Sequence, residues 1–349
     1  MNFSEWAVVG FKDDTGIGRM TRDIQEVLGV GHHLVAPSER LEGHSVNPGK
    51  EMLLAGDASL PAIQKFLQGL DGIICIERLH WHPFLIPAAK SLGIKTVCVP
   101  MWEWFRGTDP DWKDADLFLC PNHKAVEILR YYGYSNVHHV PWPLDIDSLP
   151  LREIRGKAKT FFHNAGLVDH DDRKGTSHVV RAFSKLKDPG IRLILRIQKE
   201  VPFETRDPRI DLRIGNLDNP SDLYKEGDVA IQPSLMEGLG FMVLEPVCCG
   251  IPVISTASPP MNEYVREPEM LALPTFFKKK SFAFRAASIR HAFLTPPRIS
   301  SLAKRIEWCC RNEMEPISKA NRAWAKACHS REIVVRHWQD SLTKFFSDN

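Results

Sequence analysis

Short apolar segments alternate with amphipathic segments of helical length along almost the whole chain. Strands of a parallel sheet are buried on both faces, so they appear in a sequence as short apolar runs. Eleven such runs predict strands, at residues 7–11, 33–36, 72–76, 96–99, 117–120, 138–140, 161–164, 192–196, 210–214, 229–232 and 252–255. Alternation of this kind predicts βαβ units and therefore the α/β class with doubly wound parallel sheets.

One segment interrupts the alternation. Residues 141–150 contain three prolines in ten positions and no periodicity, which is typical of a linker. The 349 residues are enough for two domains that each bury a core. We predict a Rossmann-like domain over 1–145 and a second over 146–325, with a terminal helix over 326–349. Ligands of doubly wound folds bind at the carboxyl ends of the strands, so we expect a cleft between the two domains.

Composition narrows the class of protein. An apolar content of 43% and a charged content of 25% are typical of soluble globular proteins. No apolar stretch approaches the roughly 18 residues that span a membrane, and the first residues lack a basic signal-peptide region. The eight cysteines form no Cys-x-x-Cys pair, and Cys75, Cys98 and Cys120 lie in strand-like runs. We expect a cytoplasmic protein with reduced cysteines and no metal site.

The net charge of +2 hides an asymmetry along the chain. Residues 1–150 carry a net charge of −6, residues 151–265 are balanced, and residues 266–349 carry +8. An acidic first domain disfavours a polyanionic acceptor such as nucleic acid. The simplest interpretation of the positive charge on residues 266–349 is a helical face exposed to solvent.

The stretch 233–246 carries two glutamates eight positions apart around a Gly-Leu-Gly turn. The apolar run 241–247 after the turn predicts a loop that opens a buried helix. Glu237 then lies in the loop, and Glu245 about two turns along the helix. The helix start, with Gly238 and Gly240 before it, predicts an anion site between the two carboxylates.

Two glutamates at this spacing occur by chance in many chains, but the surrounding pattern is more specific. The string Pro-Ser-x-x-Glu-Gly-x-Gly-x-x-x-x-Glu, within 224–265, resembles the donor-binding signature of retaining GT-B glycosyltransferases of family four (glycosyl transferases group 1). The resemblance is strongest over 161–265. It implies two Rossmann-like domains facing across a cleft, a nucleoside diphosphate sugar as co-substrate, and neither cofactor nor metal. Trp338 lies where the family has a terminal helix that crosses back onto the first domain.

The resemblance assigns roles at the donor site. Glu237 would accept hydrogen bonds from the sugar hydroxyls, and Glu245 from the ribose hydroxyls. The backbone N–H groups of Leu239, Gly240 and Phe241 would contact the diphosphate. Because Glu237 is placed in a loop, we expect its replacement by alanine to leave the fold intact.

Lys174 precedes an amphipathic segment, 179–186, and resembles the family lysine that contacts the diphosphate. A charge-assisted hydrogen bond contributes roughly 1.5–3 kcal/mol to binding an anion, and a helix start contributes only about 0.3–1 kcal/mol. Lys174 and Arg173 should therefore contribute most of the binding energy for the donor diphosphate. A surface Arg-Lys pair is the alternative interpretation. A cation at a helix start opposes the helix dipole, so Lys174 needs an anionic partner. Many relatives have a Gly-Arg pair where this chain has Gly166-Leu167, and Arg173 is the candidate replacement.

The first domain supplies candidates for the other side of the cleft. Gly16 and Gly18 lie between a predicted strand and helix and resemble the family's amino-terminal glycine loop, although a plain turn fits equally well. Relatives often have a histidine near the reacting carbon. Polar and aromatic residues that could replace it or bind the acceptor are Glu103, Trp102, Trp104, His80 and His82.

Five of the nine tryptophans lie within 62 residues, at positions 81, 102, 104, 112 and 142. Indole rings stack on sugars and bases. Each ring taken singly fits core packing, whereas the cluster indicates an aromatic acceptor side.

The expected function is transfer of a sugar from a nucleoside diphosphate sugar to an acceptor that the sequence does not identify. A glycan, a lipid-linked glycan or a small molecule fits the composition best, and a hydroxylated DNA base fits less well. A sugar-phosphate synthase or nucleotide-sugar epimerase would share the fold. The rival of another class is a catalytically silent module that binds a nucleotide-sugar or nucleic acid.

Overall fold

The computed structural model describes residues 2–13, 15–38, 47, 49–77, 82–107, 110–168, 171–199, 205–281 and 289–347. These form two compact units. Unit 1 contains Met1–Asp145 and Arg331–Asn349, and unit 2 contains Ile146–Ser330.

Unit 1 contains a parallel sheet in the order β3-β2-β1-β4-β5-β6-β7. Its strands are β1 (Trp6–Gly10), β2 (His32–Val35), β3 (Glu51–Leu53), β4 (Gly72–Ile76), β5 (Lys95–Val99), β6 (Leu117–Cys120) and β7 (Val137–His139). Its first helices are α1 (Gly16–Leu28), α2 (Leu60–Leu67), α3 (Leu85–Ser91) and α4 (His123–Tyr131). Strands β1 and β4 are buried along their whole length, because helices can cover both faces of the sheet.

Unit 2 repeats this strand order as β10-β9-β8-β11-β12-β13. Its strands are β8 (Thr160–Gly166), β9 (Arg192–Ile197), β10 (Ile210–Ile214), β11 (Val229–Gln232), β12 (Val253–Thr256) and β13 (Leu271–Ala272). Its helices are α5 (Thr176–Phe183), α6 (Phe241–Cys248), α7 (Met261–Tyr264), α8 (Ile299–Arg311) and α9 (Glu315–His329). Both units are doubly wound, which confirms the predicted α/β class.

The last helix, α10 (Arg331–Ser347), groups with unit 1. The indole Nε1 of Trp338 donates to the Pro141 carbonyl at 2.8 Å, and Arg331 donates to the Glu26 carbonyl at 2.7 Å. The predicted start of this helix at residue 326 is wrong, since residues 326–329 belong to α9. Ser330 has extended backbone angles and separates the two helices.

All eleven predicted strands form, each within two residues of its predicted ends. The sequence missed β3 and β13. Strand β3 has three residues at the edge of its sheet, with no buried side chain to mark it. Strand β13 has only two residues. Two residues cannot show the period of a strand.

Each sheet reverses its winding direction between two neighbouring strands. This switch point lies between β1 and β4 in unit 1 and between β8 and β11 in unit 2. The loops that follow such strands diverge to opposite faces and leave a crevice where ligands of open α/β sheets bind. The loops after β8 and β11 contain Lys174 and Glu237, so the topology alone places these residues together.

Two of the clustered tryptophans belong to the core of unit 1. Trp112 is 2% exposed and packs against Phe105 with ring centroids 4.8 Å apart. Trp142 is fully buried and donates to Asp23 Oδ2 at 2.7 Å. The interpretation of the whole cluster as an acceptor wall is therefore wrong for these two rings.

Candidate functional site

The loops after β8 and β11 are joined by a backbone bond and an ion pair. The Leu235 N–H donates to the Arg173 carbonyl at 2.8 Å. Lys174 Nζ lies 2.6 Å from Glu237 Oε1. Glu237 thus supplies the anionic partner that Lys174 requires at the start of α5. The structure brings these two predicted residues into direct contact.

Gly175 allows the two loops to approach this closely. It has φ +75°, and a Cβ there would lie 2.6 Å from the Pro233 carbonyl oxygen. Left-handed backbone angles favour glycine, and the contact leaves no room for a side chain. The position of Lys174 opposite Glu237 therefore depends on a glycine at position 175.

Asp172 caps α5 and was not identified from the sequence. Its carboxylate accepts the N–H of Thr176 at 2.8 Å and the N–H of Ser177 at 2.9 Å. Asp172 itself has φ +49°, an uncommon angle for a residue other than glycine. The cap stabilises the helix start and orients the segment that carries Arg173 and Lys174.

Glu237 is ionised at neutral pH although it is 7% exposed. Burial raises the pKa of its carboxyl group, but the charges of Lys174 and Arg173 more than offset that effect and hold the pKa below its usual value. The sequence correctly placed Glu237 in a loop. The expectation that its removal would be neutral for the fold is weakened by this burial.

His163 lies behind the site in β8 and is fully buried. Its Nδ1 lies 2.7 Å from the Ile231 carbonyl oxygen, and its Nε2 lies 3.0 Å from Thr176 Oγ1. A neutral ring with its proton on Nδ1 satisfies both contacts. The ring connects β8, β11 and the first residue of α5. Its only signal in the sequence is its place within the predicted strand 161–164.

His163 should make the protein less stable as the pH falls. Burial lowers the pKa of its imidazole to about 4, whereas an unfolded histidine has a pKa of about 6.5. The unfolded chain therefore binds this proton first, and the free energy of unfolding falls between pH 6.5 and about 4 by about 3 kcal/mol. Urea unfolding of the protein and of His163→Asn across this window measures the effect, and the variant should show the flatter profile. An NMR titration of His163 with a midpoint near pH 6.5 would contradict the account.

Gly175→Ala should separate the loops. We expect a loss of about 1–3 kcal/mol in the free energy of unfolding, because alanine must adopt an unfavourable φ and clash with the Pro233 carbonyl. Urea denaturation measures the change, and Gly56→Ala is the control because a Cβ there meets nothing within 4 Å. Wild-type stability in Gly175→Ala would show that the loops do not depend on this contact.

The glycine turn before α6 forms as predicted. Gly240 has φ +89° and directly precedes the helix. The Tyr264 hydroxyl donates to the Leu239 carbonyl at 2.8 Å and fixes the turn against α7. Gly238 and Leu239 are buried, and Phe241 is half-buried. The first N–H groups of a helix have no acceptor within the helix itself, and those of α6 follow directly on the loop of Glu237.

Glu245 lies about one turn into α6 rather than two, because the helix begins only at Phe241. It is 2% exposed, and its Oε2 accepts a short hydrogen bond from the hydroxyl of Tyr224, which is also buried. Glu237 and Glu245 therefore lie on either side of the glycine turn and have different partners. Tyr224 is a third residue, after Asp172 and His163, that the sequence did not identify.

Unit 1 places Gly16 and Gly18 at the start of α1. Thr15 caps this helix by accepting the Gly18 N–H at 3.2 Å. A Cβ on Gly18 would lie 2.0 Å from the Asp13 carbonyl oxygen, whereas one on Gly16 would meet nothing within 4 Å. Local packing therefore explains Gly18, and Gly16 has open space beside it.

The described acceptor-side candidates follow strands of unit 1, but most of them are buried. Trp102 is 4% exposed, and Lys124 Nζ lies 5.8 Å from its ring centroid. Glu103 and His82 are also buried, and Trp104 is half-buried. His80 lies outside the described residues. Among the four described candidates, Trp104 has the side chain most accessible to an acceptor.

The described residues contain no group of three His, Cys, Asp or Glu side chains that could hold a metal ion. None of their helices is both long enough and apolar enough to span a bilayer.

Comparison with known proteins identifies relatives of this arrangement. Residues 212–327 match the family described as glycosyl transferases group 1, a region that contains both Glu237 and Glu245. No match was found among curated proteins.

Solved structures of similar fold cover nearly the whole chain. HepE from Anabaena, solved in complex with UDP and glucose, is 15% identical over 97% of this chain and 99% of its own, with a TM-score of 0.70. Sucrose-phosphate synthase from Thermosynechococcus elongatus is 14% identical over 99% of both chains, with a TM-score of 0.67. The lipopolysaccharide outer core galactosyltransferase WaaB is 14% identical over 99% of both chains, with a TM-score of 0.63. These similarities confirm the GT-B fold, and the match over residues 212–327 confirms the predicted resemblance to glycosyl transferases group 1.

Proposed function

We propose that this GT-B protein, which contains a glycosyl transferases group 1 region, is a retaining glycosyltransferase that uses a nucleoside diphosphate sugar. The observation that carries the proposal is the contact of Lys174 with Glu237 at the switch point of unit 2. HepE, a protein of the same fold, was solved in complex with UDP-glucose as well as with UDP and glucose.

The pair suits sugar transfer because negative charge develops on the leaving diphosphate. Departure of a nucleoside diphosphate concentrates negative charge on its phosphates, and a fixed cation stabilises that charge as it develops. Lys174 supplies the cation at the start of α5, and Arg173 is adjacent. Backbone N–H groups of Leu239, Gly240 and Phe241 add neutral donors at the start of α6.

Glu237 and Glu245 would divide the recognition of the donor. Glu237 is an ionised carboxylate and accepts hydrogen bonds from sugar hydroxyls once the diphosphate attracts Lys174. Glu245 accepts from the ribose hydroxyls, with Tyr224 orienting its carboxylate. Without a donor, Lys174 and Glu237 neutralise one another, so their charges do not face the low-dielectric turn unpaired.

A retaining reaction on one face of the sugar fits this set of residues. The leaving phosphate takes the proton of the acceptor hydroxyl, so the reaction needs no separate general base beside the anomeric carbon. That chemistry agrees with the burial of Glu103 and His82. The acceptor that we propose is a glycan, a lipid-linked glycan or a small molecule, because the charge of −6 on residues 1–150 repels a polyanion.

A panel of UDP-, GDP-, ADP- and dTDP-sugars tests the donor by thermal shift. A ligand at 100 times its dissociation constant stabilises the folded state by about 2.7 kcal/mol, which gives a measurable rise in Tm. One donor of the panel should raise Tm in the wild type and not in Lys174→Ala. No shift with any of the four would contradict nucleotide-sugar binding.

Transfer should continue in the presence of EDTA. We propose that Lys174, Arg173 and the backbone donors neutralise the diphosphate, a task for which other transferases use a divalent cation. The measurement is the initial rate of transfer before and after chelation, with added magnesium or manganese as the control. A rate that EDTA abolishes and either metal restores would contradict the proposed metal-independent mechanism.

A further inference from the structure

Two adjacent phenylalanines of unit 2 are almost fully exposed. Phe276 is 85% exposed and Phe277 is 88% exposed, and Leu273, three positions earlier in the chain, is 50% exposed. Among large hydrophobic side chains of the described residues, these two phenylalanines are the most exposed. Contiguous apolar surface of this kind marks an interaction site more often than a surface that faces only water.

Three lysines follow directly and give the segment a positive charge. Lys278 is exposed, and Lys279 extends 66% of its side chain into solvent although its Nζ lies 3.5 Å from Asp171. Lys280 Nζ lies 5.5 Å from the Phe293 ring centroid. We refer to residues 273–280 as the Phe-Lys segment.

The Phe-Lys segment has a fixed backbone. Lys279 and Leu294 exchange backbone hydrogen bonds of 3.1 and 2.7 Å. The Thr275 N–H donates to the Pro296 carbonyl at 2.7 Å, and the Arg298 N–H donates to the Leu273 carbonyl at 2.8 Å. The exposed rings therefore project from a paired framework and not from a loose chain end.

We propose that the Phe-Lys segment docks unit 2 on a membrane surface that contains anionic lipids. Phenylalanine rings partition into the boundary between headgroups and acyl chains, and lysines beside them attract anionic headgroups. The net charge of +8 on residues 266–330, which belong to unit 2, complements such a surface. A bilayer interface accommodates both the aromatic rings and the aliphatic Leu273.

Single-stranded nucleic acid fits the same surface less well. Bases stack on open ring faces along a basic groove. The Arg298 guanidinium lies 4.2 Å from the Phe276 ring centroid and covers one face of that ring. The aliphatic surface of Leu273 offers nothing to a base or a phosphate.

The segment is connected to the candidate donor site. The Thr295 N–H donates to the carbonyl of Leu235, in the loop that carries Glu237, and Asp171, the partner of Lys279, precedes the cap of α5. Docking would hold these loops near the lipid surface, which selects an acceptor carried by a lipid. This choice of acceptor rests on the proposed function, whereas docking itself does not.

Co-sedimentation of the full chain with lipid vesicles tests the docking. We expect binding to vesicles of phosphatidylcholine mixed with phosphatidylglycerol and much weaker binding to phosphatidylcholine alone. Each charge near an anionic surface changes binding about fivefold, so Lys278→Glu should weaken it about 25-fold. Burying one phenylalanine ring is worth at least about tenfold, so Phe276→Ser with Phe277→Ser should weaken binding about 100-fold.

Matched controls separate the segment from general surface effects. Tyr131→Ser removes another exposed ring, and Lys185→Glu reverses another exposed lysine, and both should bind vesicles like the wild type. Equal binding to both vesicle types would overturn the proposal, as would wild-type binding by the phenylalanine variant. Binding to a single-stranded oligonucleotide that depends on Phe277, without vesicle binding, would also overturn it. Thermal shift by the donor should be unchanged in every variant, so failure of docking is distinguishable from failure of donor binding.

Discussion

Glu237→Ala should lower kcat/KM for sugar transfer by about 10²–10⁴-fold. The variant loses two charge-assisted hydrogen bonds to sugar hydroxyls, each worth roughly 1.5–3 kcal/mol, and about 1.36 kcal/mol corresponds to a tenfold change in rate. It also removes the partner that positions Lys174 at 2.6 Å. Initial rates over a range of donor concentrations measure the loss.

The same variant should be less stable, which revises the expectation from the sequence. Glu237 is buried, and removing one partner of a buried ion pair costs about 3–5 kcal/mol because the remaining charge is uncompensated. The partial exposure of Lys174, 19% of its side chain, reduces this cost toward the lower end. Rates must therefore be expressed per folded molecule, with circular dichroism to measure that fraction.

Glu237→Gln separates the two effects. Glutamine keeps the volume and an oxygen that accepts from Lys174 but lacks the negative charge, so only part of the stability should return, while the hydrogen bonds to the sugar lose their charge. The exposed Glu153→Gln is the matched control and should have wild-type rates. Wild-type turnover in both Glu237 variants would remove this residue from the site.

Lys174→Ala should lower kcat by about a hundred- to a thousandfold. Loss of one preorganised group that stabilises developing charge costs roughly 2.7–4 kcal/mol of the transition state, at about 1.36 kcal/mol per tenfold change. The family's second arginine is absent here, since Gly166 is followed by leucine, so Arg173 is the nearest replacement in the sequence. Single-turnover rates at saturating donor measure the chemical step.

Lys185→Ala is the control for Lys174, because this exposed lysine lies just after α5. A loss in Lys174→Ala of less than fivefold would assign the charge stabilisation to Arg173 or to the backbone donors. A large loss of rate in Arg173→Ala, without a comparable loss in Lys174→Ala, would assign the charge stabilisation to Arg173.

The sequence predicted the sheets well because their strands are buried on both faces. The runs at 72–76 and 210–214 coincide with β4 and β10, although only β4 is buried throughout. The edge strands β3 and β13 were not predicted from the sequence, because hydrogen-bonded pairing with a neighbouring strand, and not side-chain pattern, defines them. Helix ends were less accurate, since α5 starts at Thr176 and the helical periodicity became visible only from residue 179.

The candidate site was only partly predictable. Glu237, Glu245 and Lys174 were found by their place in a motif, and the prediction that Lys174 needs an anion identified the kind of partner but not which residue. His163 and Asp172 act through geometry that a linear pattern does not show. His163 joins three elements, and Asp172 caps a helix from a left-handed backbone angle.

In the tryptophan cluster, the sequence indicated a functional role for residues that belong to the core. Closeness in sequence indicated a shared acceptor wall, but Trp112 and Trp142 belong to the core of unit 1. Large rings are favoured in cores whatever their sequence neighbours do. Only a measure of exposure, which the sequence lacks, distinguishes Trp104 from them.

Hydrolysis of the donor in the absence of an acceptor tests the central claim most directly. Proton NMR can follow the nucleotide-sugar that stabilises the protein, together with the sugar that first appears. We expect slow release of nucleoside diphosphate and of a sugar that keeps the anomeric configuration of the donor, and loss of both signals in Lys174→Ala but not in Lys185→Ala. A donor that binds and stays intact, even with candidate acceptors added, would identify a silent binding module, and an inverted sugar would contradict the retaining mechanism.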